Sequence, residues 1–357
     1  MKNNNSRNIV VVEFWESHDE CLFPICHLLK KNGYNITLAV NKKIRKRLSK
    51  PLLELVDGVA EFSFGHNFRG FIAQIEFYFY LLRNKFSAVH INTAQGSTTW
   101  KFFLLPIPHR IKVTGVLHHT VRLKEFGQKL LTRRIDNYVL LSDLMKSSYI
   151  SYTDKPYVVI YPIFYPSIKT VDLIKPDDEL WIVIPGGVEQ SRHDYFSLLS
   201  FIGNSIYNSN IRFIILGNIT TRDGKEFQRQ IQERDLMRNF VFFEQYIPES
   251  LFYSYIAACD YIMPLINPDE KCYESYVKDK ISGSFNLAFA YRKTMLCPES
   301  MRKFEDFADS SLFYNPANIV DFINSLILEK PKASFALQKW NENEQLKRLS
   351  VIYKNVN

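Results

Sequence analysis

No apolar run in this chain approaches the roughly 20 residues that span a bilayer. Its opening, MKNNNSRN, is polar where a signal peptide needs an apolar segment, so the cytosol is the expected location. Cysteine is scarce and odd in number: Cys21, Cys26, Cys259, Cys272 and Cys297 are scattered, without a close metal-ligand pair, and read as free thiols, most of them buried. Eight histidines form no HExxH or comparable pattern, so no tightly bound transition metal is expected. There is no GxxxxGK[ST] segment, which removes P-loop phosphoryl transfer. The first strand-to-helix turn, VVEFWESHDE, contains no glycine, so a dinucleotide pyrophosphate has no close main-chain approach there and a nicotinamide-dependent enzyme is disfavoured. Recognition-helix, RRM and zinc-finger patterns are absent, and nucleic acid is not expected as a partner.

What is present is a chain of 357 residues, more than one hydrophobic core usually serves, so two domains are expected. With 46% hydrophobic residues it can bury both cores, and 23% charged residues without a low-complexity tract argue against disorder. A formal net charge of +8 suits an anionic partner: a nucleotide, a phospholipid surface or nucleic acid. Short β-branched and aromatic runs alternate with amphipathic stretches from the start. NIVVVEF, YNITLAV, AVHIN, IKVTGVL and NYVLLS read as strands, and Cys21 to Lys31 as a helix that Asn32-Gly33 stops. Such alternation means a parallel sheet with crossover helices. A first unit is expected over 1–165. YPIFYPSIKTVDLIKPDDE, with three prolines and no periodic apolar face, reads as a linker over 166–179. A second unit over 180–332 carries LWIVIP, IRFIILG, NFVFFE, DYIMPL and TMLCP as strands. Helices are expected at Asp194 to Tyr207, Gly224 to Asp235, Glu249 to Ala257 and Ser284 to Tyr291. The tail, 333–357, has helical character and the length to return to the first unit. The fold class is α/β, two Rossmann-like doubly wound domains.

Ligands of open parallel sheets bind outside the carboxyl ends of the strands. The segment ISGSFNLAFAYRKT, residues 281 to 294, opens an apolar helix with a Ser-Gly-Ser turn after the polar stretch NPDEKCYESYVKDK, which reads as a loop. That turn aims main-chain N–H groups and the positive end of a helix dipole at one point, with Lys278 and Lys280 just before it. It reads as an anion seat, or alternatively as an ordinary helix capped by Ser282. Other strand ends supply Pro185-Gly186-Gly187 followed by Arg192, then Gly217-Asn218, Glu244-Gln245-Tyr246, Pro264 and Pro298-Glu299.

The order PGGVEQSRHDYFSLL, RFIILGN, NFVFFEQYIPESLFYSYIAACDYIMPL, ISGSFNLAFAYRKTMLCPE resembles the nucleotide-sugar-binding domain of GT-B glycosyltransferases, over most of 180 to 300. IDNYVLLSDLMKSSYI with KPYVVIYP looks like the end of the partner domain. The resemblance is to the retaining branch, which carries two glutamates flanking the small-residue turn; here Asp279 stands near the first position and Leu287 at the second. It implies a GT-B fold with a cleft between the domains and a metal-independent, cytoplasmic enzyme, peripheral on the cell membrane. Its reaction would move a sugar from a nucleoside-diphosphate sugar to a hydroxyl of a glycan or lipid-linked acceptor in bacterial surface polysaccharide synthesis. The nucleotide-sugar is a substrate, and no cofactor is implied. A sugar-nucleotide epimerase on the same plan and a non-catalytic nucleotide- or glycan-binding relative are the rivals.

On this reading Arg192, Lys280, Gly187 and the Ser282, Gly283 and Ser284 amides hold the diphosphate, arginine suiting it through its paired donors. Gly217, Tyr246 and Tyr276 are candidates for the nucleoside. His118 and His119, after IKVTGVL, are the candidate catalytic residues, with His119 preferred to position the sugar or take a proton from the acceptor; each reads equally as a structural loop histidine. His18 and Glu16, after the first strand, are candidates for the acceptor, against a plain exposed turn. NFRGFIAQIEFYFYLLRNKF combines Phe68, Phe71, Ile75, Phe79 and Leu82 with Arg69, Arg83 and Lys85, and reads as a core helix with charged ends or as a helix resting on an anionic membrane.

Overall fold

The computed structural model describes residues 7–202, 210–266, 268 and 271–353. The opening MKNNNS, the distal part of the helix expected over Asp194 to Tyr207, three residues of the polar stretch (Asn267, Asp269 and Glu270) and the last four residues of the tail lie outside the described residues. Two compact units form. The first comprises 1–167, 278–280 and 338–357; the second comprises 168–277 and 281–337. The chain passes from one to the other through a segment, 160–176, without helix or strand.

The first unit is a seven-stranded parallel sheet of β1 (Asn8–Val12), β2 (Asn35–Asn41), β3 (Gly58–Phe62), β4 (Ala88–Ile91), β5 (Lys112–Leu117), β6 (Asn137–Leu140) and β7 (Tyr157–Val159), in the order β3-β2-β1-β4-β5-β6-β7. Ile9, Val10, Val11 and Val12 are all fully buried, so this strand is covered on both faces, as crossover helices require. GVAEF, which forms β3, lacks the β-branched run of the other strands and stands at the sheet edge, half-buried; it adds one strand to those legible in the sequence. The helix Glu342–Tyr353 belongs to this unit: Tyr353 is buried with its hydroxyl 2.7 Å from His90 Nδ1, and Gln345 accepts from the Tyr161 N–H.

The second unit is a six-stranded parallel sheet of β8 (Leu180–Pro185), β9 (Ile211–Leu216), β10 (Phe240–Val241), β11 (Tyr261–Ile262), β12 (Thr294–Pro298) and β13 (Ser311–Tyr314), ordered β10-β9-β8-β11-β12-β13. All six residues of β8 are buried. NFVFFE pairs only over Phe240 and Val241, and β13 extends the sheet beyond the expected five strands. In both units the connection order reverses beside the first strand, between β1 and β4 and between β8 and β11. Those switch points are where an open parallel sheet leaves a crevice for a ligand.

Among the described residues no helix is long and apolar enough to cross a membrane. None of the five cysteines forms a disulfide, and all but Cys272 are buried.

Candidate functional site

The second unit's switch point is built from glycine. Gly186 follows β8 at φ +115°, a conformation L side chains rarely adopt. Gly217 follows β9, and a Cβ there would lie 1.7 Å from the Gly186 carbonyl oxygen. The two strand ends therefore approach main chain to main chain. Gly186 N–H donates to Leu216 O at 3.1 Å, and Val188 N–H to Asn218 O at 3.3 Å. His193 closes the far side, its Nδ1 2.9 Å from the Pro264 carbonyl after β11. Ser284 Oγ–H donates to Pro185 O at 3.2 Å, tying the start of the Gly283–Tyr291 helix to the end of β8.

At that helix start the structure corrects the three-amide seat. Ser282 is a true N-cap: its Oγ accepts from Ser284 N–H at 3.3 Å, and both serines are buried. The exposed member is Gly283. A Cβ on it would meet nothing within 4 Å, and no partner for its N–H occurs among the described residues. The accessible main-chain donor at this terminus is thus the Gly283 amide, with the helix dipole behind it. Arg192 lies in the turn before the Tyr195–Ile202 helix, exposed, with Nε 3.3 Å from Glu189 Oε2. Gly187 leads into that turn.

Gly217 and Tyr246 line one pocket of about 590 Å³ together with Asn218, Glu244, Glu249 and Tyr253. Tyr246 is 87% exposed, an aromatic face left uncovered by the protein. Tyr276 is a second correction. The polar stretch expected as a loop forms the helix Lys271–Lys278, because Cys272, Tyr273, Tyr276 and Val277 repeat at helical spacing, and Tyr276 is buried in it. Burial raises its pKa, with the nearby Arg192 charge pulling the other way, so it stands beside Arg192 and away from the Gly217 pocket's lining. Lys280 groups with the first unit, where the neighbouring Asp279 carboxylate accepts from Ser148 Oγ at 2.6 Å and Thr120 Oγ1 at 3.1 Å.

The first unit's switch point is built from titratable and amide side chains. His118 follows β5 and is nearly buried; its Nε2 donates to the Asn92 carbonyl at 2.8 Å, and its ring stacks on that of His18 with centroids 3.8 Å apart. Burial, with the His18 charge, presses the His118 pKa down to about 3. Burial also works to lower that of His18, but the Glu20 hydrogen bond and the charges of Glu20, Glu13 and Asp19 outweigh it, and the net shift is upward. Gln95 Oε1 accepts the main-chain N–H groups of both His118 and His119. His119 is half-buried; burial lowers its pKa, Lys280 and Arg122 add to this, and Asp279 opposes it.

His18 and Glu16 are not brought together. Glu16 pairs with Lys43 Nζ at 2.6 Å and lines a different pocket, of about 670 Å³, with Trp15, Ser63, His66, Asn67 and Arg69.

Glu13, Asn92 and Gln95 were not singled out by sequence reasoning. For Glu13 the signal is there: a lone acid closing the apolar run NIVVV at a strand's carboxyl end. It is fully buried, and desolvation raises its pKa to about 7 against the pull of Thr93, Asn92 and the Trp15 N–H. In the helix Phe68–Arg83 the buried positions are Gly70, Ala73, Gln74, Phe77 and Leu81, while Phe68, Ile72 and Phe79 are exposed. Of the five apolar residues named from the sequence, Phe68 and Phe79 are exposed and none is fully buried.

No family model matches the chain, and no curated protein matches it in sequence. Solved structures do match over nearly the whole length. Anabaena HepE in complex with UDP aligns at TM-score 0.67 and 12% identity, over 98% of both chains. A glycosyltransferase from Rickettsia africae aligns at 0.68 and 12%, again over 98% of both. A UDP-GlcNAc 2-epimerase from Neisseria meningitidis bound to UDP-GlcNAc aligns at 0.61 and 13%, over 97% of this chain and 99% of that one. At such identities the likeness is one of fold: this chain has the two-domain GT-B architecture.

Proposed function

We propose that the protein is a glycosyltransferase that moves a sugar from a UDP-sugar to a hydroxyl of a glycan or lipid-linked acceptor in surface polysaccharide synthesis. The observation that carries the reading is the glycine-lined switch point of the second unit: Gly186 and Gly217 bring two strand ends main chain to main chain, Gly283 faces open space, and Gly217 shares a pocket with an exposed tyrosine. UDP and UDP-glucose are the ligands named with the HepE structures, and this chain's pocket suits a nucleoside of that size.

In the reaction the bond between the sugar and the diphosphate breaks, the bond to the acceptor oxygen forms, and the acceptor's proton leaves. Negative charge grows on the departing diphosphate. Gly283 N–H, the helix dipole behind it and the Arg192 guanidinium are the donors offered to that charge, each worth on the order of 10²-fold in rate. Gly217 and Tyr246 hold the nucleoside. In the first unit His119 is assigned the acceptor's proton: burial keeps its imidazole neutral at pH 7, the form a general base needs. His118 and His18 orient the hydroxyl. Membrane contact, needed for a lipid-linked acceptor, is assigned to Phe68, Ile72 and Phe79 with Arg69 and Arg83 on the solvent side of their helix. Reduced pelleting of a Phe68→Ser/Phe79→Ser variant with anionic vesicles tests this.

An epimerase is the second reading, favoured by fold likeness to UDP-GlcNAc 2-epimerases at TM-scores of 0.61 to 0.65. One experiment separates them. The protein is first screened by thermal shift against UDP, GDP, CDP and dTDP; a ligand at 100 times its Kd stabilises by about 2.7 kcal/mol. UDP-sugars are then supplied with and without lipid-linked and oligosaccharide acceptors. Acceptor-dependent release of UDP supports transfer. An epimerised UDP-sugar formed without acceptor moves the assignment to the second reading, and no response to any nucleotide overturns both.

A further inference from the structure

Three strand ends of the first unit converge on one buried carboxyl. Glu13, directly after β1, is 0% exposed. Its Oε1 accepts from the Trp15 N–H at 2.7 Å, and its Oε2 accepts from Asn92 Nδ2 and Thr93 Oγ1, both at 2.6 Å, the latter two residues following β4. Asn92 is the hub. Its Nδ2 also donates to the His18 carbonyl at 2.9 Å, and its own carbonyl accepts from His118 Nε2, after β5.

Both histidines are held in states that need a cause. His18 sits at φ 66°, ψ 21°, left-handed for a residue with a Cβ, which costs of order 1 kcal/mol or more. The Asn92 bond to its carbonyl is one of two that hold the turn, the other coming from Cys21 N–H. In His118 a carbonyl can only accept, so Nε2 carries the hydrogen and the neutral ring has a bare Nδ1. Its ring lies flat on His18, 20° from parallel.

We propose that Glu13 is the positioning residue of this switch point: its carboxylate, acting through the Asn92 side chain, holds His18 in the left-handed turn that presents its ring to His118. The arrangement is also a switch. A carboxylate is acceptor-only and matches the three donors facing it; a protonated Glu13 needs an acceptor. Asn92 Oδ1 is buried without a partner among the described residues, so it is the acceptor at hand. Turning that amide oxygen toward Glu13 takes Nδ2 away from the His18 carbonyl and frees the turn. Burial brings this protonation into the neutral range. The other ionisable groups facing the cluster are His18, Asp19, Glu20, Cys21 and His118, and the negative charge of Glu13 is felt by His18 and Cys21.

The inference goes beyond the sugar-transfer reading and does not rest on it, since its test needs no substrate. Long-range ¹⁵N–¹H spectra of the imidazoles are recorded from pH 5.5 to 8.5 in the full chain and in Glu13→Gln. In the wild type His118 is expected as the Nε2–H tautomer throughout, its ring shifts changing together with the Glu13 side-chain ¹³C carboxyl shift as the stacked His18 ring is released. In Glu13→Gln that change in the His118 ring shifts is lost, and the His18 midpoint falls through loss of a nearby negative charge. A folded Glu13→Gln with the wild-type His118 ring-shift profile and His18 midpoint overturns the proposal. Should the variant not fold, the wild type alone decides: a carboxyl that titrates without a coincident change at His118 and His18 overturns it equally.

Discussion

The two switch points share a topology and carry opposite chemistry. Beside β8 the strand ends are lined by glycine: Gly186 and Gly217 meet main chain to main chain, and Gly283 faces open space. Beside β1 they are filled, with Glu13, Asn92, His18 and His118 joined by hydrogen bonds and a ring stack. A crevice that must grip a diphosphate gains from empty space and fixed amides, which reorganise little when charge arrives. A crevice that must move or hold a proton needs side chains with pKa values pulled away from their usual range, and burial does that here for Glu13 and His118 in opposite directions. The shared architecture does not assign either task; on the proposed reading the residues after each strand divide them.

The contrast can be broken most severely at Gly217. Replacing it with valine drives a side chain into the Gly186 carbonyl, and urea unfolding is expected to show a loss of about 3 kcal/mol, the upper end of overpacking costs. A wild-type midpoint would mean that the two strand ends can part without cost.

In the other crevice the expected signature is a pH slope. The Glu13 pKa rises on folding from 4.5 to about 7, so the native state holds a proton that the unfolded chain has released between those values. Its contribution is therefore full below pH 4.5 and is lost by pH 7, a change of about 3 kcal/mol. His118 and His90, whose pKa values burial presses to about 3, act with the opposite sign, losing stability as pH falls from 6.5 toward 3. Glu13→Gln removes the first effect and keeps the second. Unfolding free energies measured every half unit from pH 4 to 8 would reveal an unchanged slope if the assignment is mistaken.

Smaller effects sharpen the reading of the glycine-lined side. Arg192→Ala is expected to weaken UDP binding by about 2 kcal/mol, the worth of a charged hydrogen bond, with Tm unaltered because the residue is exposed. Calorimetry that finds equal affinity removes arginine from the site. Tyr246→Ala is expected to cost about 1 kcal/mol of stacking on the nucleoside. The smallest folding effect belongs to Gly283→Val, within about 0.5 kcal/mol because nothing lies near the new side chain, and yet the nucleotide-induced thermal shift should vanish. A shift that persists would place the anion elsewhere.

Much of the architecture was legible as alternation. NIVVV, YNITLAV, LWIVIP and IRFIIL announce buried parallel strands because a sheet covered on both faces needs continuous apolar runs. GVAEF and SLFY escaped because edge strands are half-covered and carry no such run. The polar stretch before Ser282 misled for a related reason: a helix of eight residues buries only one stripe, so Tyr273, Tyr276 and Val277 are diluted by charge on the other sides. Gly217 and Tyr246 were picked out by their position after a strand, and they line one pocket. Of the two readings of the Ser-Gly-Ser turn, anion seat or helix cap, the structure shows the cap: Ser282 Oγ accepts the Ser284 N–H, and the Ser284 hydroxyl ties to Pro185.

Residue order alone therefore determined which segments pair in parallel and which residues stand at the strand ends, since apolar periodicity and chain connectivity are local properties. Tertiary structure alone decided which of those residues are open and which are spent. Whether Gly283 faces empty space, whether Gly217 meets a carbonyl, and whether Glu13 holds a proton near neutrality depend on atoms far apart in the chain, and solvation and steric contact are set by those neighbours, which no local pattern encodes.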